Sequence, residues 1–253
     1  MTPPPLLLYL DCTAGASGDM VLAGFLDMGL PLVFLQKIIR QLGFSQVAII
    51  PKRISRNGIP ALSVTIRSER KARSIPKRVG GLIDLVSGSQ LVSPIKNSLI
   101  RVLTTLGRAE GKIHGRPWRT VILHQLAEVD TLVSCVGFCA GLNYFKVKKV
   151  YVSWIPLGRR HQDHAGRWRA TPGPATCHLL DGFSLYHRPE RFEWTTPTAA
   201  ALLSALATPE PAPPFHVQAI GHSAGTLRTP GQAGLLRLFL GIPIRQHLYL
   251  TGV

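Results

Sequence analysis

The sequence predicts an α/β or α+β fold, a mixed sheet with crossover helices and one Asn-Gly β-hairpin. Three observations predict it. Strand-like and helix-like segments alternate along the chain, Asn57-Gly58 joins two strand-like runs, and 45% hydrophobic content over 253 residues is enough to bury an adequate core.

Taken in order, Leu7–Asp11 is a short apolar strand ending in an acid, and a turn of small residues enters a helix at Ser17-Gly18-Asp19-Met20. Pro31 to Gly43 carries apolar residues at helical spacing, with Pro at its start and Gly as its stop. VAIIPKRI and IPALSVTI flank Asn57-Gly58, the strongest two-residue hairpin signal, and Pro51 and Pro60 push these strands toward an edge. Residues 67–78, RSERKARSIPKR, lack apolar periodicity and read as a mobile basic loop.

Helices are expected near 76–87 and near 94–113, the second opened by Ser93 as cap and Pro94 at the first helical position. Another runs from about His124 to Phe145. Val150–Ile155 alternates like a strand, 158–170 is polar and irregular, and Pro174–Leu180 and Pro197–Leu206 are short helices. Phe215–Ile220 and Leu235–Leu240 read as closing strands. No internal repeat is visible, and a single domain over 1–253 is expected.

Lys and Arg number 29 against 13 acidic residues, a net charge of +16 that favours phosphorylated small molecules, nucleic acid or an acidic membrane surface as partners. The N-terminus lacks both the basic start and the long apolar run of a secretory signal. The longest apolar stretch, Val129–Phe145, contains Asp130, Thr131, Ser134 and Asn143, which marks a buried helix and not a membrane span. A cytoplasmic protein is expected, with its 4 cysteines as reduced thiols.

The first loop is the leading candidate site. Small residues let backbone N–H groups converge on an anion, and the following helix N-terminus adds partial positive charge. Asp11, Gly15, Ser17, Gly18 and Asp19 are the candidate phosphate- or ligand-binding residues, although the spacing is neither a P-loop nor a dinucleotide fingerprint. Asp11 and Asp19 suit a metal or a ribose hydroxyl; equally, Asp11 would cap the turn and Asp19 complement the helix dipole.

His124 and Asp130 lie six positions apart, about 120° off a common helical face, so a bend or a helix start must fall between them if both serve one ligand. In RRHQDHAGRWRATPGPAT, His161, Asp163 and His164 offer metal ligands within one loop, while Arg159, Arg160, Arg167 and Arg169 suit phosphate or form a solvated basic loop. Cys135 and Cys139, spaced i, i+4, would clamp a soft metal or fill a core.

Several blocks share one pattern: the opening Asp11, Gly15, Ser17-Gly18-Asp19-Met20, then AEGKIHG at 109–115 with His114, LHQLAEVDTLVSCVG at 123–137, VYVSWIPLG and HAGRWRATPGPAT within 150–176, TTPTAAALLSAL at 195–206, IGHSAGT at 220–226 and LLRLFLG at 235–241. Their order and spacing resemble the LarC family, nickel insertion proteins for pyridinium-3,5-bisthiocarboxylic acid mononucleotide. The resemblance implies a metal insertase of lyase type in nickel-pincer cofactor biosynthesis, with nickel and CTP plus a divalent metal as cofactors. It implies an anionic pyridinium mononucleotide as substrate, His124 and His164 as nickel ligands, Asp130 or a His as the base, and no membrane.

The chain also departs from that family. Ile122, Gln125 and Ala127 replace a His, a Glu and a Gly of its His-Phe-His-Glu-Val-Gly-Ala-Val-Asp block, and Ala165 is an insertion. The stretch 67–78 lacks the family's His-rich insert, Leu227-Arg228-Thr229 stands where Arg-Asp-Leu is favoured, and Gly234 where Asn is. The family continues into a C-terminal CTP-associated domain, expected to be absent here and supplied as a partner half. The alternative is a non-catalytic homologue that binds nucleic acid or another polyanion through its Arg-rich loops.

Overall fold

A computed structural model describes residues 4–68, 75–123, 128–159, 161–162, 166, 168–225 and 234–244. Strand β1 (Leu6–Asp11) leads through the small-residue loop into α1 (Gly18–Asp27) and then α2 (Leu32–Gln41). Strands β2 (Val47–Arg56) and β3 (Ile59–Ser68) pair antiparallel about Asn57 and Gly58, both at positive φ. Next come α3 (Val79–Ser87), α4 (Ser93–His114), a single 3-10 turn at Trp118–Thr120, α5 (Val129–Tyr144) and β4 (Val147–Val152). Short strands β5 (Ile155–Leu157), β6 (His161–Gln162) and β7 (Trp168–Arg169) precede α6 (Pro174–Leu179), β8 (Leu185–His187) and α7 (Pro197–Leu206), and the long strands β9 (Phe215–Ala224) and β10 (Leu235–Pro243) close the described chain.

Six strands form one mixed sheet in the order β2-β3-β9-β10-β1-β4. β1 runs parallel to β4 and antiparallel to β10, so the last described strand is inserted beside the first. The edge position of β2 accommodates Pro51, which has no N–H to give a ladder. Alternation along β1 and β10 turns Leu8, Leu10, Leu236, Leu238 and Leu240 toward the helices, all buried. Tyr9, Arg237 and Phe239 occupy the opposite face.

Glycines set how closely helices and sheet approach. A Cβ on Gly221 of β9 would stand 2.1 Å from the Gly24 carbonyl oxygen, so α1 rests directly on strand backbone. A Cβ on Gly137 would meet Leu22 at 2.3 Å and one on Gly141 would meet Phe25 at 2.6 Å. These pairs advance together along both helices, so α1 and α5 run parallel in close contact.

Element boundaries differ from expectation in instructive ways. Ser93 is the first helical residue and not the cap, because the Lys96 N–H closes the first turn on the Val92 carbonyl at 3.0 Å. α5 begins at Val129; residues 124–127 lie outside the described residues. Arg67 and Ser68 complete β3 and Ile75 is buried in the core, whereas 69–74 of the basic run lie outside the described residues. The strand expected at Val150–Ile155 divides into β4 and β5. Among the described residues no helix is long and apolar enough to cross a membrane.

Candidate functional site

The carboxyl end of β1 carries the loop from Asp11 to Ser17, and most of its polar groups are committed within the fold. Asp11, buried at 6% exposure, accepts hydrogen bonds from the Thr13 N–H and hydroxyl on one oxygen and from the Arg237 guanidinium on the other. Burial pushes its carboxyl up, but the Thr13 and Arg237 hydrogen bonds outweigh this and the net shift is downward. The Gly15 N–H donates to the Cys12 carbonyl at 2.8 Å, and the Ala16 N–H to the Trp194 carbonyl at 2.9 Å. The Thr196 N–H in turn donates to the Ala16 carbonyl at 3.0 Å, so residues 194–196 strap the loop. Gly15 is required there: its φ is +95°, and a Cβ would stand 2.6 Å from the Trp194 oxygen.

Beyond the strap, the first turns of α1 and α7 meet the second turn of α5. A Cβ on Gly18, the first residue of α1, would meet Ser134 Cβ of α5 and Thr198 Cγ2 of α7, both at 2.8 Å. Asp130 lies one turn before Ser134 on the same face of α5. Because α1 and α5 run parallel, Asp130 lies about 6 Å past the mouth of α1. It is exposed, with one carboxylate oxygen accepting from the Thr131 N–H at 2.7 Å.

Thr196 caps α7 by accepting from the Ala199 N–H at 3.3 Å, whereas the N-cap residues Ser17 of α1 and Glu128 of α5 make no capping hydrogen bond and Asp130 takes one first-turn N–H of α5. The Ser17 hydroxyl instead donates to Asp19 Oδ1 at 2.5 Å. From the hairpin, Arg56 donates to the carbonyl of Gly225, whose Cβ position lies 3.9 Å from Ser17 Oγ. Arg56 Nε is buried without a partner. The parallel N-terminal ends of α1 and α5 and the Arg56 guanidinium favour an anion here, against the carboxylates of Asp19 and Asp130.

Comparison with known proteins fixes the family. The sequence profile described as "Nickel insertion protein" matches residues 8–250. This chain belongs to the nickel insertion protein family. Proteins from Geotalea daltonii and Synechococcus sp. (strain JA-3-3Ab), each named "Putative nickel insertion protein", are 33% identical over 93% of the chain and 35% identical over 92% of it. A protein of the same name from Syntrophobacter fumaroxidans is 34% identical over 92%. These alignments cover 60%, 59% and 60% of the relatives, so the chain spans about three fifths of their length. No solved structure matches.

Within this family member, the structure brings together Gly15, Ser17, Gly18 and Asp19 with the helix turn that bears Asp130. Asp11 points to the other face of the sheet, into its ion pair with Arg237. α5 starts at Val129, between His124 and Asp130. His124, Asp163 and His164 lie outside the described residues, as do Arg160 and Arg167. Among the described residues no group of three His, Cys, Asp or Glu side chains is placed to hold a metal. Cys135 and Cys139 are buried among core residues, and burial pushes the Cys135 thiol up to about 12, so they serve as apolar filling. His114 sits 3.4 Å from Glu110, one turn back on α4.

Sequence reasoning missed the strap at 194–196, the Arg237 partner of Asp11, Ser134 beneath Asp130, and Arg56. The block beginning at Thr195 was a visible signal for the strap; nothing local marked the two arginines. It also missed Glu193, a half-buried acid beside the strap whose carboxyl burial pushes up to about 7.

Proposed function

We propose that this chain inserts nickel into pyridinium-3,5-bisthiocarboxylic acid mononucleotide, acting with a C-terminal half that handles CTP and its divalent metal. Nickel is cargo in this reading. The observation that supports it is the meeting of the first turns of α1 and α7 against the second turn of α5 at Gly18, with Asp130 one turn nearer the start of α5. An anionic mononucleotide places its phosphate against the uncapped first turn of α1, beside Ser17 and Arg56. Asp130 then faces the ring. Forming the carbon–nickel bond requires loss of the ring proton: the carboxylate takes the proton, and the C–H electron pair becomes the bond to the metal. His124 and His164 relay the nickel ion, a role suited to imidazole.

The experiment combines the purified chain with the C-terminal portion of a relative, CTP, substrate and nickel, and follows nickel incorporation. Asp130→Asn keeps the helix and removes the base, with an expected loss of about a hundredfold or more in rate and unchanged substrate retention. His124→Ala is expected to abolish nickel retention. Equal turnover by Asp130→Asn removes the assigned base. Binding that ignores nickel and weakens steeply with salt identifies a polyanion-binding homologue instead.

A further inference from the structure

Thr13, two residues past β1, stands between two environments. On one side it borders an open cleft of about 830 Å³ over the outer face of the sheet, lined by Tyr9, Trp154, Tyr186 and the proline-rich segment 209–214. Behind the cleft wall the Thr13 carbonyl accepts two hydrogen bonds, one from the Tyr186 hydroxyl and one from Arg188 Nη1 at 3.2 Å. Tyr186 lies in β8 and Arg188 just past its end, two residues on, so strand alternation sends both side chains the same way.

Arg188 reaches further than Thr13. Its guanidinium carbon lies 3.8 Å from the centroid of the Trp194 ring, while Nε and Nη2 donate to the two carboxylate oxygens of Glu190 at 3.3 and 3.2 Å. Trp194 is buried and gives its carbonyl to the Ala16 N–H as the first residue of the strap. One side chain therefore joins the two points at which the loop is held, Thr13 and residues 194–196. The segment that carries it is anchored in turn: the Arg188 N–H donates to the Leu157 carbonyl at 2.8 Å, and the Arg159 N–H to the Glu190 carbonyl at 3.1 Å.

Stability alone does not call for an ion pair here. The Arg188 side chain is 13% exposed and that of Glu190 23%, and a largely buried pair is often replaceable by uncharged side chains of similar volume without loss of stability. An uncharged side chain cannot supply the planar fork, which donates to a carbonyl and a carboxylate at once while it stacks on a ring. We propose that Arg188 is a positioning residue for the anion-binding loop: it fixes Thr13 against Trp194 and so sets where Ser17 and the first turn of α1 stand relative to Asp130 on α5. The assignment deepens the proposed function and rests on it, because that reading places the substrate phosphate at this turn. Arg188 acts through the loop and touches no substrate.

The test uses the full chain in two variants. Arg188→Met with Glu190→Gln removes the fork without leaving a charge unpaired, and Arg188→Lys keeps the charge without the fork. In the nickel-incorporation assay both are expected to raise KM for the mononucleotide about tenfold with kcat within about threefold of the parent, because the base stands on α5 and not on the loop. Hydrogen exchange followed by mass spectrometry is expected to quicken at least about tenfold across residues 11–17 and to match the parent across α5, with an unchanged urea midpoint. Parent-like KM and exchange in the double variant, or their return in Arg188→Lys, overturns the assignment. A lowered urea midpoint with faster exchange throughout the chain overturns it as well, since that marks a purely structural ion pair. Failure of the nickel-insertion reading shows separately: the parent then incorporates no nickel, while exchange across 11–17 still depends on Arg188.

Discussion

The two sides of Thr13 are built by opposite means. On the helix side the elements pack closely: Gly18, Gly137, Gly141 and Gly221 sit where a single added carbon would stand 2.1 to 2.8 Å from a neighbour. On the sheet side a cleft of about 830 Å³ is lined by large rings, one of them a Trp at 66% exposure. The tight side fixes helix N-termini relative to one another, which is what aiming backbone N–H groups at one point requires. The open side contributes surface instead of position. Rigidity and accessibility are thus assigned to different faces of the same strand end.

The sharpest way to break this comparison is to change one residue to alanine on each side. In Gly221→Ala the new carbon meets the Gly24 carbonyl, which is backbone and cannot rotate away, so the expected cost is about 3 kcal/mol by urea denaturation. Gly18→Ala meets two side-chain carbons and is expected to cost about 2 kcal/mol. Trp154→Ala on the open side should stay within about 0.5 kcal/mol of the parent. If Trp154→Ala proves as damaging as Gly221→Ala, the cleft is a structural element and the contrast fails.

The next largest effect concerns Asp11, which belongs to the sheet side through Arg237. Its carboxyl lies below the usual range in the folded protein, so the stability it contributes is present above the ordinary aspartate range and is lost as pH falls through the folded value. Arg237→Met leaves a buried carboxylate with Thr13 as its remaining partner, at an expected cost of about 1.5 kcal/mol at neutral pH. The penalty should shrink on acidification, as protonation removes the unpaired charge. A pH-independent penalty would show that Arg237 acts by packing alone.

How much of this was legible in the sequence follows from the range of each interaction. The β1 loop, α1 and the hairpin at Asn57-Gly58 rest on neighbours within a few residues, where glycine, proline and apolar spacing report directly on conformation. The insertion of β9 and β10 between β1 and β3 rests on pairings such as Asp11 with Arg237, which no local pattern announces. The same holds at the site. Gly15, Ser17, Gly18 and Asp19 form a readable motif, whereas the strap at 194–196 and the placing of Ser134 beneath Asp130 exist only once the chain is folded. The aromatic cleft was invisible for a related reason: Tyr9, Trp154, Tyr186 and Phe215 stand far apart in sequence, each a plausible core residue by itself.

The smallest expected effect tests whether the tight side also stores electrostatic cost. Glu193 precedes the strap, and burial holds its carboxyl at about 7. Between the ordinary glutamate range and that value the folded state binds more protons than the unfolded one, so stability falls as pH rises through this window. Glu193→Gln removes the ionisation with little change of shape. It should therefore stabilise the protein at pH 8, by about 1 kcal/mol after allowing for partial exposure, while matching the parent at pH 4. Urea midpoints of both proteins across that range decide the matter: parallel curves would mean that Glu193 is solvated, and that the strap holds the loop by its backbone hydrogen bonds without a charge penalty beside it.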